Sequence, residues 1–336
     1  MLKAFNALLL LLLCLNVLTA KASDSSLPKP YGQGTYVKSK FGHIYYEADG
    51  EGTPVVMING GPGASRTVFW GALDFLKSHG YQIIYFDETG VGRATREIPE
   101  AFSPAITVED IETLRQHLNV PKLILAGHSY GGIPAVQYAL TYPDNVEKLI
   151  MLSASADGLS QQMNVDAALY LRKTFFPQTW QKLEAIREKG TLTSSSEYMK
   201  AFYNRAIGNM SDWYDPSKRS DLRKYRSRDK RDGSNIKVYF DMAGLDPEVK
   251  ITGTLQDVVV NKEMLKDFTI PTLILNGRKD WKTTPAMAYR FYKMLPEGTA
   301  TLKFLEQTGH WTWAEQPKEF ANTVSQFLIN ESSLIH

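Results

Sequence analysis

The chain has 336 residues, 43% hydrophobic and 22% charged, a globular balance that excludes a disordered, collagen-like or polytopic membrane protein. Lys and Arg number 38 against 36 Asp and Glu, which gives no reason to expect nucleic acid or an acidic membrane surface as partner. The length allows one large domain or two modest ones.

The N-terminus departs from this average. Lys3 supplies a positive start, Ala7 to Leu18 is almost continuously apolar, and Ala20 and Ala22 bracket Lys21 ahead of a Ser-rich stretch. That order is a secretory signal peptide over residues 1–22, cut after Ala22. The apolar run is shorter than the roughly 20 residues that span a bilayer, so no stable membrane insertion is expected after cleavage. Leu11-Leu12-Leu13 precede Cys14, where a lipidation site wants small residues. Cleavage removes Lys3, Lys21 and the sole cysteine, leaving 314 residues with 36 basic and 36 acidic side chains. The expected setting is the periplasm or the medium, with stability drawn from a core and not from disulfides.

Thr35–Lys38 and His43–Tyr46 alternate in hydrophobicity and predict an antiparallel hairpin. Four continuous apolar runs follow, Val55–Ile58, Ile83–Phe86, Leu123–Ala126 and Leu149–Leu152. Strands apolar on both faces belong to a buried parallel sheet. Between them Val68–His79, Val108–Leu118 and Ile133–Tyr142 read as helices. The alternation stops near Asp157 and resumes with Thr272–Leu275 and Thr301–Leu305, before a last helix over Pro317–Ile329. The predicted fold is α/β, a mostly parallel sheet with helices on both faces. Its core is residues 23–157 and 269–336, with a helical cap, 158–268, inserted after the sixth strand. Such an insertion lies over the carboxyl ends of the strands. The basic stretch Lys218–Arg231 is interleaved by Asp221 and Asp229 and reads as a solvated helix face.

Gly127-His128-Ser129-Tyr130-Gly131 is a G-x-S-x-G sequence between a strand and a helix, the context in which such a serine becomes a nucleophile. A serine hydroxyl needs a base. Of six histidines, His310 alone follows the final strand in a loop, Gln307-Thr308-Gly309-His310. The acid that orients it should follow the strand before, which selects Asp280 in Asn276-Gly277-Arg278-Lys279-Asp280; Asp157 is the rival position. The oxyanion of a tetrahedral intermediate needs backbone donors. The Tyr130 N–H is one candidate, and the Gly61 N–H, in Asn59-Gly60-Gly61-Pro62-Gly63, is the other. No phosphate-loop sequence and no metal-ligand spacing is present, so neither cofactor nor metal is expected.

Taken together, Asn59–Gly63, Asp87-Glu88-Thr89-Gly90-Val91-Gly92-Arg93, Gly127–Gly132, Gly277–Asp280 and Gly309-His310 resemble the proline iminopeptidase (prolyl aminopeptidase) family of capped α/β-hydrolases, over about residues 34–329. The resemblance implies an α/β-hydrolase fold and an aminopeptidase releasing N-terminal proline or a small apolar residue. Some members hold the substrate's amine with a cap glutamate, and the stretch from Val238-Tyr239-Phe240 to Ile251-Thr252-Gly253-Thr254 makes that residue Glu248. Tyr239, in the same stretch, and Trp281, beside Asp280, are the other substrate-binding candidates. Three positions depart from the family pattern. Asn59 stands where histidine is usual, Glu88-Thr89 replace Gln-Arg, and Trp281 follows Asp280 where some members carry a second acid. The alternative activity is an esterase, lactonase or amidase on a small apolar substrate without free-amine recognition. Either way the partner is a small peptide or small molecule.

Overall fold

The computed structural model describes residues 33–97, 101–193, 195–203, 205–223, 227–244 and 248–329. The expected signal peptide lies outside the described residues. Eight strands form one sheet: β1 (Thr35–Lys38), β2 (His43–Asp49), β3 (Thr53–Ile58), β4 (Tyr81–Asp87), β5 (Leu123–Ser129), β6 (Val146–Ala154), β7 (Thr272–Gly277) and β8 (Ala300–Leu305). Their order is β1-β2-β4-β3-β5-β6-β7-β8. The hairpin β1–β2 joins β4 antiparallel, and every later pairing is parallel.

The apolar runs divide by parity, as a pleated strand requires. Val56, Ile58, Leu125 and Leu149 face one layer with α1 (Pro104–Leu118) and α2 (Gly132–Thr141). Val55, Met57, Ile124 and Ile150 face the other. The stretch read as a helix over 68–79 is instead two short 3-10 turns, Arg66–Phe69 and Asp74–His79, broken at Gly71 with φ 81°. It still buries Phe69, Leu73 and Leu76 against the sheet.

Among the described residues the chain leaves β6 into six α-helices: α3 (Gly158–Phe175), α4 (Pro177–Arg187), α5 (Ser196–Phe202), α6 (Arg205–Asp212), α7 (Arg219–Arg223) and α8 (Ile236–Ala243). The apolar faces of α3, α4, α5 and α8 share a third cluster with Val91, Phe102, Tyr130 and Ile133 of the core, so the cap is glued to the sheet's carboxyl edge. Val260, Leu265, Phe268 and Ile270 pack with the core layer instead, although the sequence boundary puts the first three in the insertion. Helices α9 (Pro285–Tyr292), α10 (Thr312–Glu315) and α11 (Pro317–Ile329) complete the chain.

Candidate active site

The strands β3, β4, β5, β7 and β8 run parallel, so their carboxyl ends and the loops that follow share one edge. Ser129 ends β5 with φ 56°, a left-handed conformation that costs a non-glycine residue energy and marks functional turns. The flanking glycines make room for it. A Cβ on Gly127 would lie 2.6 Å from the Gly131 carbonyl oxygen, and one on Gly131 would lie 2.3 Å from that of Ile58. The serine is thereby lifted to the cavity wall at the start of α2.

Two further loops arrive together. A Cβ on Gly277 would sit 2.0 Å from the Gly309 carbonyl oxygen, so only glycine lets the β7 and β8 loops meet. The Lys279 N–H donates to the Thr308 carbonyl at 2.8 Å. The result is that His310 Nδ1 lies 2.8 Å from Asp280 Oδ2, with both side chains buried. Asp280 is held from three sides. Lys282 N–H and Thr283 N–H donate to Oδ1 at 2.8 and 3.0 Å, and Thr283 Oγ1 donates to Oδ2 at 2.7 Å. A carboxylate fixed in this way orients an imidazole and stabilises its charged form.

Asp157, the rival acid, does other work. It caps α3, accepting from the Ser160 N–H at 2.8 Å, and pairs with Arg290 at 2.7 and 3.0 Å. Gly61 lines the cavity. Neither its N–H nor that of Tyr130 is taken by a loop carbonyl among the described residues, so both amides of the expected oxyanion hole are available.

A cavity of about 630 Å³ opens above Ser129 and His310, roofed by the cap. Tyr239 and Trp281 line it, as expected. Trp281 stacks on Tyr170 at 6.4 Å between centroids and meets Phe175 edge-on. Glu248 does not line it. That side chain is exposed, and the next residue, Val249, turns inward to the cavity with φ 64°.

The cavity also holds residues that the sequence did not single out. His128 packs against the candidate base: its ring lies 4.6 Å from that of His310, and its Nε2 is 3.3 Å from the His310 carbonyl oxygen. Burial, then the neighbouring His310 charge, pushes its pKa well below the usual histidine value, so it stays neutral. Arg219, from the stretch read as a solvated face, lines the cavity, as do Arg172 and Asp212. The Asp212 carbonyl accepts the His310 N–H at 2.8 Å, so the cap itself fixes the histidine loop. No helix-face periodicity or motif could have revealed these, because the cap approaches the sheet through long-range packing.

An elbow serine, a carboxylate-bound histidine and a capped parallel sheet define the class. A sequence profile described as alpha/beta hydrolase fold matches residues 53–317, and the chain belongs to that family. It is 28% identical over 289 residues to a proline iminopeptidase of Clostridium botulinum, covering 84% of this chain and 94% of that one. A proline iminopeptidase of Clostridioides difficile is 27% identical over 301 residues, 87% and 97% of the two chains. Among solved structures, a proline iminopeptidase of Mycobacterium smegmatis superposes with a TM-score of 0.66 at 21% identity, over 88% of this chain and 97% of the other.

Proposed function

We propose that the chain is an exported serine hydrolase that releases an N-terminal residue, proline or a small apolar one, through an acyl-enzyme on Ser129. The observation that carries the reading is the meeting of three strand-end loops: Ser129 in left-handed backbone on the cavity wall, beside a buried His310 bound to Asp280 at 2.8 Å. The relatives named proline iminopeptidase, matched along most of both chains, support the substrate class.

In the cycle, His310 Nε2 takes the Ser129 hydroxyl proton as Oγ attacks the scissile carbonyl. The Gly61 and Tyr130 N–H groups receive the oxyanion. The C–N bond breaks as His310 returns the proton to the leaving amine. Water then attacks the acyl group, its proton passing to His310, and Ser129 regains its hydrogen as the acid departs.

A second reading has its own observation. Glu248 is exposed and off the cavity, and the carboxylate that does line it, Asp212, is held by Lys282 at 3.1 Å. An esterase, lactonase or amidase needs no acid for an ammonium. The deciding assay compares proline and alanine anilides, with free and blocked N-termini, against short-chain esters. Preference for free-amine anilides supports the aminopeptidase; preference for blocked anilides or esters moves the assignment to the second reading. A phosphonate probe should label the enzyme and not Ser129→Ala. Labelling of that variant would remove Ser129 from its role.

A further inference from the structure

Charge sets the character of this cavity beyond Ser129. Arg172, Arg205, Arg219 and Lys282 line it, and Asp212 is the single carboxylate among the described lining residues. Arg172 is the unusual member, because it is only 4% exposed. It ends a face of α3 on which Gln161, Asn164, Val165 and Ala168 also line the cavity, the three-and-four spacing of one helix side. Its Nη1 donates to the Ala168 carbonyl at 2.7 Å, and its Nη2 and Nε donate to the Phe202 carbonyl at 2.9 and 3.3 Å. Its guanidinium lies over the Phe202 ring at 3.3 Å from the centroid.

Those partners are neutral dipoles, and among the described residues no carboxylate bonds this cation. A guanidinium has five N–H donors, and three are used, so two remain. Burial lowers its pKa to about 10, which leaves it charged at neutral pH. The one carboxylate that favours its charge, Asp212, acts on it without a hydrogen bond and is itself paired with Lys282; a buried charge so weakly compensated is costly, and a cost placed on the wall of the cavity is relieved when an anion binds there.

We propose that the cavity selects substrates carrying a carboxylate, which Arg172 receives with its two spare N–H donors while Arg205, Arg219 and Lys282 supply the attracting field. Resting on the aminopeptidase reading, that carboxylate is the free C-terminus of a short peptide. The geometry thereby favours di- and tripeptides over longer or amidated chains.

The test measures kcat/KM for Pro-Ala and Pro-Ala-Ala against their C-terminal amides, and for 4-acetoxybenzoate against 4-acetoxybenzamide, an ester pair whose carboxylate also sits on the leaving group. A charge-assisted hydrogen-bonded pair corresponds to a preference for the free acids of roughly 10- to 150-fold. That preference should shrink as NaCl is added. Arg172→Gln should erase it and Arg172→Lys keep part of it, with phosphonate labelling of Ser129 reporting that each variant is folded. Equal turnover of acid and amide by the unaltered enzyme, or preference for the amide, overturns the proposal without any variant. A preference that survives in folded Arg172→Gln overturns the assignment to Arg172. The two readings fail separately. If no peptide is cleaved but 4-acetoxybenzoate outpaces 4-acetoxybenzamide, the aminopeptidase reading falls and anion selection stands. If peptides are cleaved with no preference for the acid, the reverse holds.

Discussion

Glu88 is a carboxyl almost out of reach of water, with Oε2 accepting from Thr107 Oγ1 at 2.5 Å and Oε1 without a partner. Burial, with Asp110 and Asp87 nearby, pushes its pKa from 4.5 up to about 8, so at neutral pH it is an uncharged acid. That accounts for an acid at a position where the resembled family uses glutamine, since a protonated carboxyl and an amide share shape and charge. The folded pKa lies above the unfolded one. Its contribution to stability is therefore complete below about pH 4.5 and is lost as pH rises through about 8, with a slope of up to about 1.4 kcal/mol per pH unit. Denaturant titrations should find Glu88→Gln close to the parent at pH 5 and more stable than it at pH 8.5; parallel curves would mean that Glu88 is ionised in the fold. The two aspartates separate in the same residue-level way. Asp280→Asn should lower kcat on the order of 10⁴-fold by presenting His310 with the wrong partner. Asp157→Ala should leave turnover within a fewfold and cost ~1–2 kcal/mol through the lost helix cap. The reverse pattern in kinetics and melting would exchange their roles.

The cap is fastened by a short segment near its end. Asp232 accepts from Arg93 Nε at 2.5 Å and Arg66 Nη2 at 2.9 Å, while Arg66 also binds Glu47 and Asp87. Ser65 Oγ donates to the Asp232 carbonyl at 2.7 Å, and the Asn235 N–H to the Gly63 carbonyl at 2.8 Å. The glycine-rich loop and the loop after β4 are thus tied to the cap through buried charge. Breaking one partner of such a cluster costs ~3–5 kcal/mol. Asp232→Ala should lower Tm and raise protease sensitivity within α6–α8, whereas Asp229→Ala, at a more exposed ion pair with Arg231, should change little; equal effects would remove the fastening role from Asp232. This segment also marks where sequence reading stops. The central strands are legible because burial on both faces leaves continuous apolar runs, and the elbow and Asp280 because each follows such a run, whereas His310 follows β8, an edge strand of alternating burial. The cap helices are legible only as a class, and 68–79 reads as one helix because an apolar stretch tight against a sheet does not distinguish α from 3-10 geometry. Arg66, Arg93 and Arg172 carry no local signal of these roles: the carboxylates that bind the Arg66 and Arg93 side chains lie 19 or more residues away, and Arg172, besides its bond to Ala168 on its own helix, reaches Phe202 on another cap helix. Glu248 was located through a resemblance, and the chain places it one residue away from the inward-facing Val249.

At the scale of the whole molecule, one sheet carries two apolar layers and a third cluster under the cap, enough buried surface for a chain of this length to fold without cross-links. That matters because the sequence holds one cysteine, Cys14, in the expected signal peptide. The export and cleavage after Ala22 that we propose would therefore change the chemistry of the protein as well as its length. The full chain carries one thiol and two more positive charges than negative; the cleaved product would carry no thiol and balance its charges. Disulfides cannot contribute to a cysteine-free chain, and an oxidising compartment leaves it no thiol to lose. Thiol titration of the denatured natural product should find none, its N-terminal sequence should begin at Ser23, and its melting curve should be identical with and without reductant. One thiol per chain, or a sequence beginning near Met1, would mean that the leader is retained and that the enzyme stays tethered by its apolar stretch. A blocked, lipid-bearing Cys14 at the N-terminus would mean tethering by another route, with the capped catalytic domain unchanged beyond it.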